Sequence, residues 1–183
     1  RYEVIGRGHA ERLVPMIAEL PGRGRAERIV VSLGPGSFTG VRIGLAAARA
    51  LGIAWQANVL GYPTLALVAA MAREEHPGPV TVCMTGGHGE WFVQDYGADG
   101  LPEHVLMALK PADAAREARH TVTAGSKAGE LALAAGTGRT ALPILPDARR
   151  WPLLPMELLD SALTPIYGRP PDARLPVSRK AGA

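Results

Sequence analysis

The sequence predicts an α/β fold in two lobes, and three observations carry that prediction. Apolar extended segments alternate with segments of helical period along most of the chain. Apolar residues make up 47% of the 183 residues, enough for one sizeable core or two small lobes sharing a groove. A proline-glycine break, "HPGP" from His76 to Pro79, stands where a helix must stop and an extended segment can begin. It divides the chain into an amino-terminal lobe, 1–77, and a carboxy-terminal lobe, 78–183.

In chain order, "HAERLVPMIAEL" (His9 to Leu20) sets Leu13, Met16, Ile17 and Leu20 on one helical face. Pro15 costs such a helix little if it begins near Arg12, because first-turn amides have no intrahelical partner. "RIVVSL" (Arg28 to Leu33) reads as a buried strand, followed by a glycine turn and a helix from Ser37 to Gln56. A short strand at Val59 and Leu60 and a helix from Leu65 to Glu75 complete the first lobe. Beyond the break, "VTVCM" and "EWFVQDY" flank "TGGHG" as a hairpin, and "EHVLMAL" supplies a third strand, so the second lobe opens antiparallel. "PADAAREA" and "KAGELALAA" read as helices on either side of a short strand, "TVTAG".

Charge and apolar distribution exclude several classes. No run reaches the ~18 apolar residues of a membrane span, and the amino terminus lacks the basic-then-apolar layout of a signal peptide, so a soluble cytoplasmic protein is expected. The formal charge is +3, with arginines scattered through "RGRAER", "DARR" and the tail. That spread reads as solvated surface, compatible with contact to RNA phosphates but without a basic or aromatic-interleaved block that would demand it. The single cysteine, Cys83, sits among apolar neighbours and reads as a packing residue.

The stretch "LGPGSFTGVRIGLAAARALG" (Leu33 to Gly52) is the most distinctive. A strand ending in glycines and feeding a helix amino terminus exposes backbone amides to an anion, which makes Gly34, Gly36 and Ser37 candidate phosphate contacts. The glycines at 34, 36 and 40 miss the dinucleotide spacing by one residue, and no Lys-Ser or Lys-Thr pair follows as a P-loop requires. Pro35 and Thr39 occupy the positions where a hydrolase elbow needs glycine, so Ser37 reads as a helix cap. Gly40, Gly44, Ala48 and Gly52 recur every four residues and form a ridge with almost no side chains. Each mid-helix glycine costs about 1 kcal/mol relative to alanine, which implies a geometric reason: close packing on the chain's own sheet, or on a partner's helix.

Other polar residues form no catalytic pattern. The histidines at 9, 76, 88, 104 and 120 contain no metal pair at helical spacing. "HGE" at His88 to Glu90 begins like a deaminase zinc signature, but the cysteine pair such a signature needs is absent. No serine-histidine-aspartate or paired-carboxylate set stands out.

"GPGSFTGVRIGLAAARALG" (Gly34 to Gly52), "GHAERLVPMIAEL" (Gly8 to Leu20) and "PIYGRPPDAR" (Pro165 to Arg174) together resemble, in order, the motifs of the TsaB (YeaZ) family, small bacterial paralogues of TsaD. The resemblance implies an actin-like (ASKHA, ribonuclease H-like) two-lobe fold with mixed sheets flanked by helices. It implies a non-catalytic scaffold that pairs with TsaD and, with the ATPase TsaE, supports threonylcarbamoyl transfer to the adenosine beside the anticodon of ANN-decoding tRNAs. In that system the metal and the active site belong to TsaD. This chain has no histidine in "YPTLALVAA" (Tyr62 to Ala70), the stretch comparable to TsaD's metal pair.

The same resemblance implies pairing through the amino-lobe helices, with TsaD or with a second copy. Leu13, Ile17, Leu20, Gly40, Gly44 and Ala48 are the expected interface. No cofactor is required by this chain, although ATP or ADP at the complex interface is compatible with it. Two departures stand out. The family's opening strand with its Asp-Thr pair is expected to be missing, since the chain starts with "RYEVIG", and Thr85-Gly86-Gly87-His88 stands where the family has Asp-Ala-Arg. The alternative functions are an independent ASKHA-type ATPase or kinase, which would need acidic metal ligands, and a metallopeptidase, which would need histidines.

Overall fold

The computed structural model describes residues 1–3, 5 and 8–168. Helix α1 (His9–Ala18) leads through a short 3-10 turn (Pro21–Gly24) into strand β1 (Arg28–Gly34). Helix α2 (Phe38–Trp55) then crosses to β2 (Asn58–Pro63), which pairs with β1 in parallel. Parallel neighbours need such a crossover, because a tight turn can join only antiparallel strands. Ser37 caps α2 by accepting a hydrogen bond from the Gly40 amide at 3.4 Å, as its residue type predicts.

Helix α3 (Thr64–Glu75) follows β2 directly. The chain then builds a five-stranded sheet from β3 (Val80–Thr85), β4 (Trp91–Tyr96), β5 (Met107–Leu109), β6 (Val122–Ala124) and β7 (Thr140–Leu142), in the order β5-β4-β3-β6-β7. β3 and β4 form the expected antiparallel hairpin, β5 adds antiparallel to β4, and β6 and β7 run parallel to β3. Helices α4 (Pro111–Glu117) and α5 (Ala128–Ala135) pack on each other and on this sheet.

The main core joins α3 to β3 and β4. Leu65, Leu67, Val68, Val80 and Val82 are fully buried there, with Tyr62 from β2 and Leu154 from the carboxy-terminal segment. A second cluster sets Cys83, Trp91 and Val93 against Ala114 and Leu131 of α4 and α5. A third places Leu33, Leu45 and Leu163 between β1, α2 and the chain's closing segment.

Two expectations need correction. α1 begins at His9, so Pro15 lies in its interior rather than in its first turn. The proline nitrogen has no hydrogen to donate there, and α1 has no buried residue to offset that loss. β2 runs over six residues rather than two, because the whole of Asn58–Pro63 finds a parallel partner on β1. The ridge on α2 packs on the chain's own sheet, one of the two reasons its spacing allows. Gly44 faces Val31 of β1, Ala48 is 4% exposed, and a Cβ at Gly52 would collide with Val59 of β2. Gly44, half-buried, and Ala48, buried, thus let α2 lie close to the chain's own sheet, while Gly40 stands beside Ser37 at the α2 cap.

This packing predicts opposite outcomes for two glycine-to-alanine changes. Gly52→Ala drives a methyl group into the short, branched Val59 side chain and is expected to cost about 1–3 kcal/mol. Gly129→Ala in α5 meets nothing within 4 Å and is expected to stabilise by up to about 1 kcal/mol. Urea denaturation of the two variants checks both signs.

Candidate functional site

The glycine turn sits where β1 ends and α2 begins. Gly34 adopts φ +99°, a left-handed conformation that suits glycine, and a Cβ there would lie 2.6 Å from the Ile166 carbonyl oxygen. The Gly34 amide donates to Ser32 Oγ at 3.2 Å, and Ser32 Oγ lies 2.6 Å from Thr64 Oγ1. Of the three candidate phosphate contacts, Gly34 is thus buried and its amide is partnered, while Gly36 and Ser37 are exposed. The Ser37 hydroxyl is engaged as the α2 cap.

The closing segment lies across this turn. The Ile166 amide donates to the Leu33 carbonyl at 2.7 Å, and Arg49 reaches the Leu163 carbonyl at 3.0 Å. Arg42 donates to the Tyr167 hydroxyl at 3.0 Å while its guanidinium stacks 3.6 Å from the centre of the Phe38 ring. Phe38 and Tyr167 are themselves in ring contact, with centroids 5.4 Å apart. Apart from the local Arg42–Phe38 stack, these contacts join residues more than a hundred positions apart, so the motif at Pro165 to Gly168 straps the amino-terminal sheet and helix. The rest of that motif, 169–174, lies outside the described residues.

Beneath the turn, a cleft of about 230 Å³ opens between Pro35, Pro63 and Ile166 on one side and Tyr96, Val105 and Leu158 on the other. No charged side chain among the described residues lines it. Its polar members, Gln94 and Tyr96, satisfy each other: the Tyr96 hydroxyl donates to Gln94 Oε1 at 2.8 Å, and Gln94 Nε2 donates to the His104 carbonyl at 2.8 Å. Burial pushes the Tyr96 phenol well up, so it stays neutral and serves as a hydrogen-bond donor. A triphosphate needs cationic or metal-bound partners, and these walls supply neither.

The helices expected to meet a partner lie to one side of the cleft, and α1 touches α2. Leu13 and Ile17 are half-buried, and Ile17 packs against Gly24 of the 3-10 turn, whose added Cβ would sit 2.7 Å from Ile17 Cγ2. Leu20 lies beyond the end of α1 and is 37% exposed, and Val14 and Ile53 are exposed at 64% and 82%. The structure thus places the apolar surface of these helices partly at positions the periodicity of α1 does not select. Sequence reasoning missed Ile53 because its neighbours on α2 are small or apolar on every side. Only the position of the sheet tells which face is outward.

A polar group on the other lobe was also hidden from the sequence. Asp95, Glu103 and His120 converge from β4, from the loop after it and from the segment before β6. Their separations of 8 and 17 residues match no metal-ligand spacing, so only the fold brings them together.

The two sheets flanked by helices, with a glycine turn at the cleft between them, define an α/β protein of the actin-like (ASKHA) two-lobe class. Residues 3–139 match the family model described as "TsaD: tRNA N6-adenosine threonylcarbamoyltransferase". The chain belongs to this family, on its TsaB (YeaZ) branch. It is similar to the tRNA threonylcarbamoyladenosine biosynthesis protein TsaB of Escherichia coli K12, with 32% identity over 120 residues that span 60% of this chain and 52% of that protein. The chain thus covers about half the length of that curated relative. Among solved structures, YeaZ from Pseudomonas aeruginosa superposes with a TM-score of 0.74 at 27% identity, covering 91% of this chain and 87% of that one. A second structure, described as an uncharacterized protein with similarity to peptidase YeaZ from Pseudomonas aeruginosa, superposes with a TM-score of 0.70 at 26% identity, covering 92% and 88%. None of the helices among the described residues is long and apolar enough to cross a membrane.

Buried ionisable groups make the fold sensitive to alkali. Burial pushes the Cys83 thiol from its ordinary 9.0 up to about 12, with a smaller contribution from Glu130, and pushes the Tyr62 phenol from 10.0 to about 12. Both values are raised in the folded state, so their contribution to stability is complete below about pH 9 and is lost as the pH rises towards 12. The thermal midpoint is expected to be flat up to about pH 9 and to fall above it. Cys83→Ala should make the early part of that fall shallower, whatever constant offset the smaller side chain adds; differential scanning calorimetry across the pH series reads the slope.

Proposed function

We propose that this chain serves tRNA threonylcarbamoyladenosine biosynthesis as a non-catalytic subunit. In this reading it pairs with a TsaD-like catalytic partner and acts with a TsaE-like ATPase on ANN-decoding tRNAs in the cytoplasm. The observation that carries it is the family match over residues 3–139, together with similarity to a protein named for this biosynthesis. The cleft supports it from a second side, since its apolar walls offer no charged group to polarise a phosphate or a carbonyl. Any ATP or ADP in such a complex would then depend on groups from the partner. The alternative of an independent ATPase or kinase meets the same obstacle, with Gly34 already partnered and the space above it occupied by the closing segment.

The helices α1 and α2 are the proposed contact, through Leu13, Ile17 and Leu20 together with the exposed Val14 and Ile53. Gly44 and Ala48 support this surface from beneath, by letting α2 lie close to β1. Such a patch of aliphatic side chains fits a helical partner that buries them, or a second copy of this chain when TsaD is absent.

Co-expression with TsaD from the same organism, followed by size exclusion with light scattering, is expected to give a stoichiometric complex that restores threonylcarbamoyl transfer. Ile53→Arg is expected to weaken that complex at least tenfold while leaving the melting temperature of the isolated chain nearly unchanged, because the side chain is 82% exposed. Full transfer activity of TsaD without this chain would overturn the scaffold role.

A further inference from the structure

Three ligand-bearing side chains on the carboxy-terminal lobe meet at a point that the proposed function does not use. One carboxylate oxygen of Asp95, one of Glu103 and one ring nitrogen of His120 all lie within 4.8 Å of one another. His120 Nε2 stands 3.0 Å from Glu103 Oε2. Asp95 is fully buried, whereas the His120 and Glu103 side chains are 16% and 33% exposed, so the group has a closed floor and an open side through which an ion could enter.

The surroundings hold the ligands in place. The Thr81 hydroxyl donates to Asp95 Oδ1, and Thr81 Oγ1 itself accepts the His120 backbone amide at 3.2 Å, so the Thr81 side chain fixes two of the three residues. The His120 carbonyl accepts from Arg139, whose other terminal nitrogen donates to the Ala118 carbonyl at 2.9 Å. The Glu103 amide donates to the Asp95 carbonyl at 2.9 Å. His104 completes the frame. Its Nδ1 donates to the Val105 carbonyl at 2.8 Å, and its Nε2 accepts the Asp95 amide at 3.1 Å while lying 3.0 Å from Asp95 Oδ2. Partners of this kind, which orient carboxylates and imidazoles from behind, accompany protein metal sites.

We infer that Asp95, Glu103 and His120 form a binding site for a divalent transition metal, with Zn2+ the best match. One imidazole and two carboxylates form a mixed nitrogen and oxygen set, and water completes a tetrahedron. Bonds of about 2.0–2.2 Å place tetrahedral ligand atoms about 3.3–3.6 Å apart. The His120 to Glu103 separation of 3.0 Å is close to that edge already. The other separations are at most 4.8 Å, and the partly exposed Glu103 and His120 side chains can turn to shorten them as an ion binds. Arg119 Nε lies 3.6 Å from Asp95 Oδ2 on a side chain that is 59% exposed, so the cation now beside the buried carboxylate can swing into solvent as the metal enters. The bound ion would tie the loop between β4 and β5 to the start of β6, a structural clip on the carboxy-terminal sheet.

Zn2+ titrated into the full chain after EDTA treatment and desalting tests this by calorimetry, with the thermal midpoint as a second readout. One ion per chain is expected, with a raised midpoint. Glu103→Gln and His120→Gln, both at partly exposed positions, are each expected to weaken binding at least tenfold and to abolish the zinc-dependent rise, with a far-UV spectrum unchanged in EDTA. His9→Ala, far along the chain and exposed, is expected to bind as the unaltered chain does. Absence of saturable one-to-one binding, or glutamine variants that both bind as tightly as the unaltered chain, would overturn the site.

Discussion

Burial of α3 on all sides is the constraint on which the rest of the molecule depends. Leu65, Leu67 and Val68 have no exposed surface, and Ala66, Ala69, Ala70 and Ala72 close the remaining faces. A helical stretch apolar all round, as from Leu65 to Ala72, cannot lie on the surface; it must be enclosed, and here β3 and β4, β1 and β2, and a 3-10 segment at Ala148–Leu153 do so. Its alanines let these elements approach closely. Dense packing of this kind makes each large side chain costly to truncate, about 2–5 kcal/mol for a buried leucine, because the walls relax only partly. α3 thus packs against both sheets at once.

The second organising contact is the strap formed by the closing segment. Hydrogen bonds from Ile166 and Arg49, and the stack of Arg42 with Phe38 and Tyr167, bring residues 163–167 onto the glycine turn. The two-stranded amino-terminal sheet has little area of its own, and a pair of strands gains stability only when other elements pack against it. α2 covers one part of it and the strap another. The same strap sets the Ile166 carbonyl over Gly34, which turns a loop with the outline of a phosphate cradle into a packing joint.

Catalysis and scaffolding make different demands on such a fold. A catalytic cleft needs charged or metal-bound groups at its walls, because reactions develop charge. Here the cleft walls are proline, leucine, isoleucine and valine, with a tyrosine and glutamine that bond to each other. Ionisable side chains gather instead at the far lobe around Asp95, where the Thr81 hydroxyl and the nearby Arg119 guanidinium offset the cost of burying a carboxylate. Val14 on α1 and Ile53 on α2 remain exposed, away from both.

Much of this was legible in the sequence. Period and turn residues located β1, α2, α3 and the β3–β4 hairpin, and Ser37 marked the start of α2 because hydroxyl caps act within three residues. The three motifs pointed to the family. Elsewhere only the tertiary structure decided. β7 and the full length of β2 became strands because partners lay beside them, which no local propensity encodes. The spacing of Gly44, Ala48 and Gly52 announced a close approach but not to what, and the sheet beneath α2 answered it. Asp95, Glu103 and His120 carried no local signal at all. Short-range chemistry is written in neighbouring residues, whereas which face turns inward, and which distant groups meet, depends on contacts made only when the whole chain has folded.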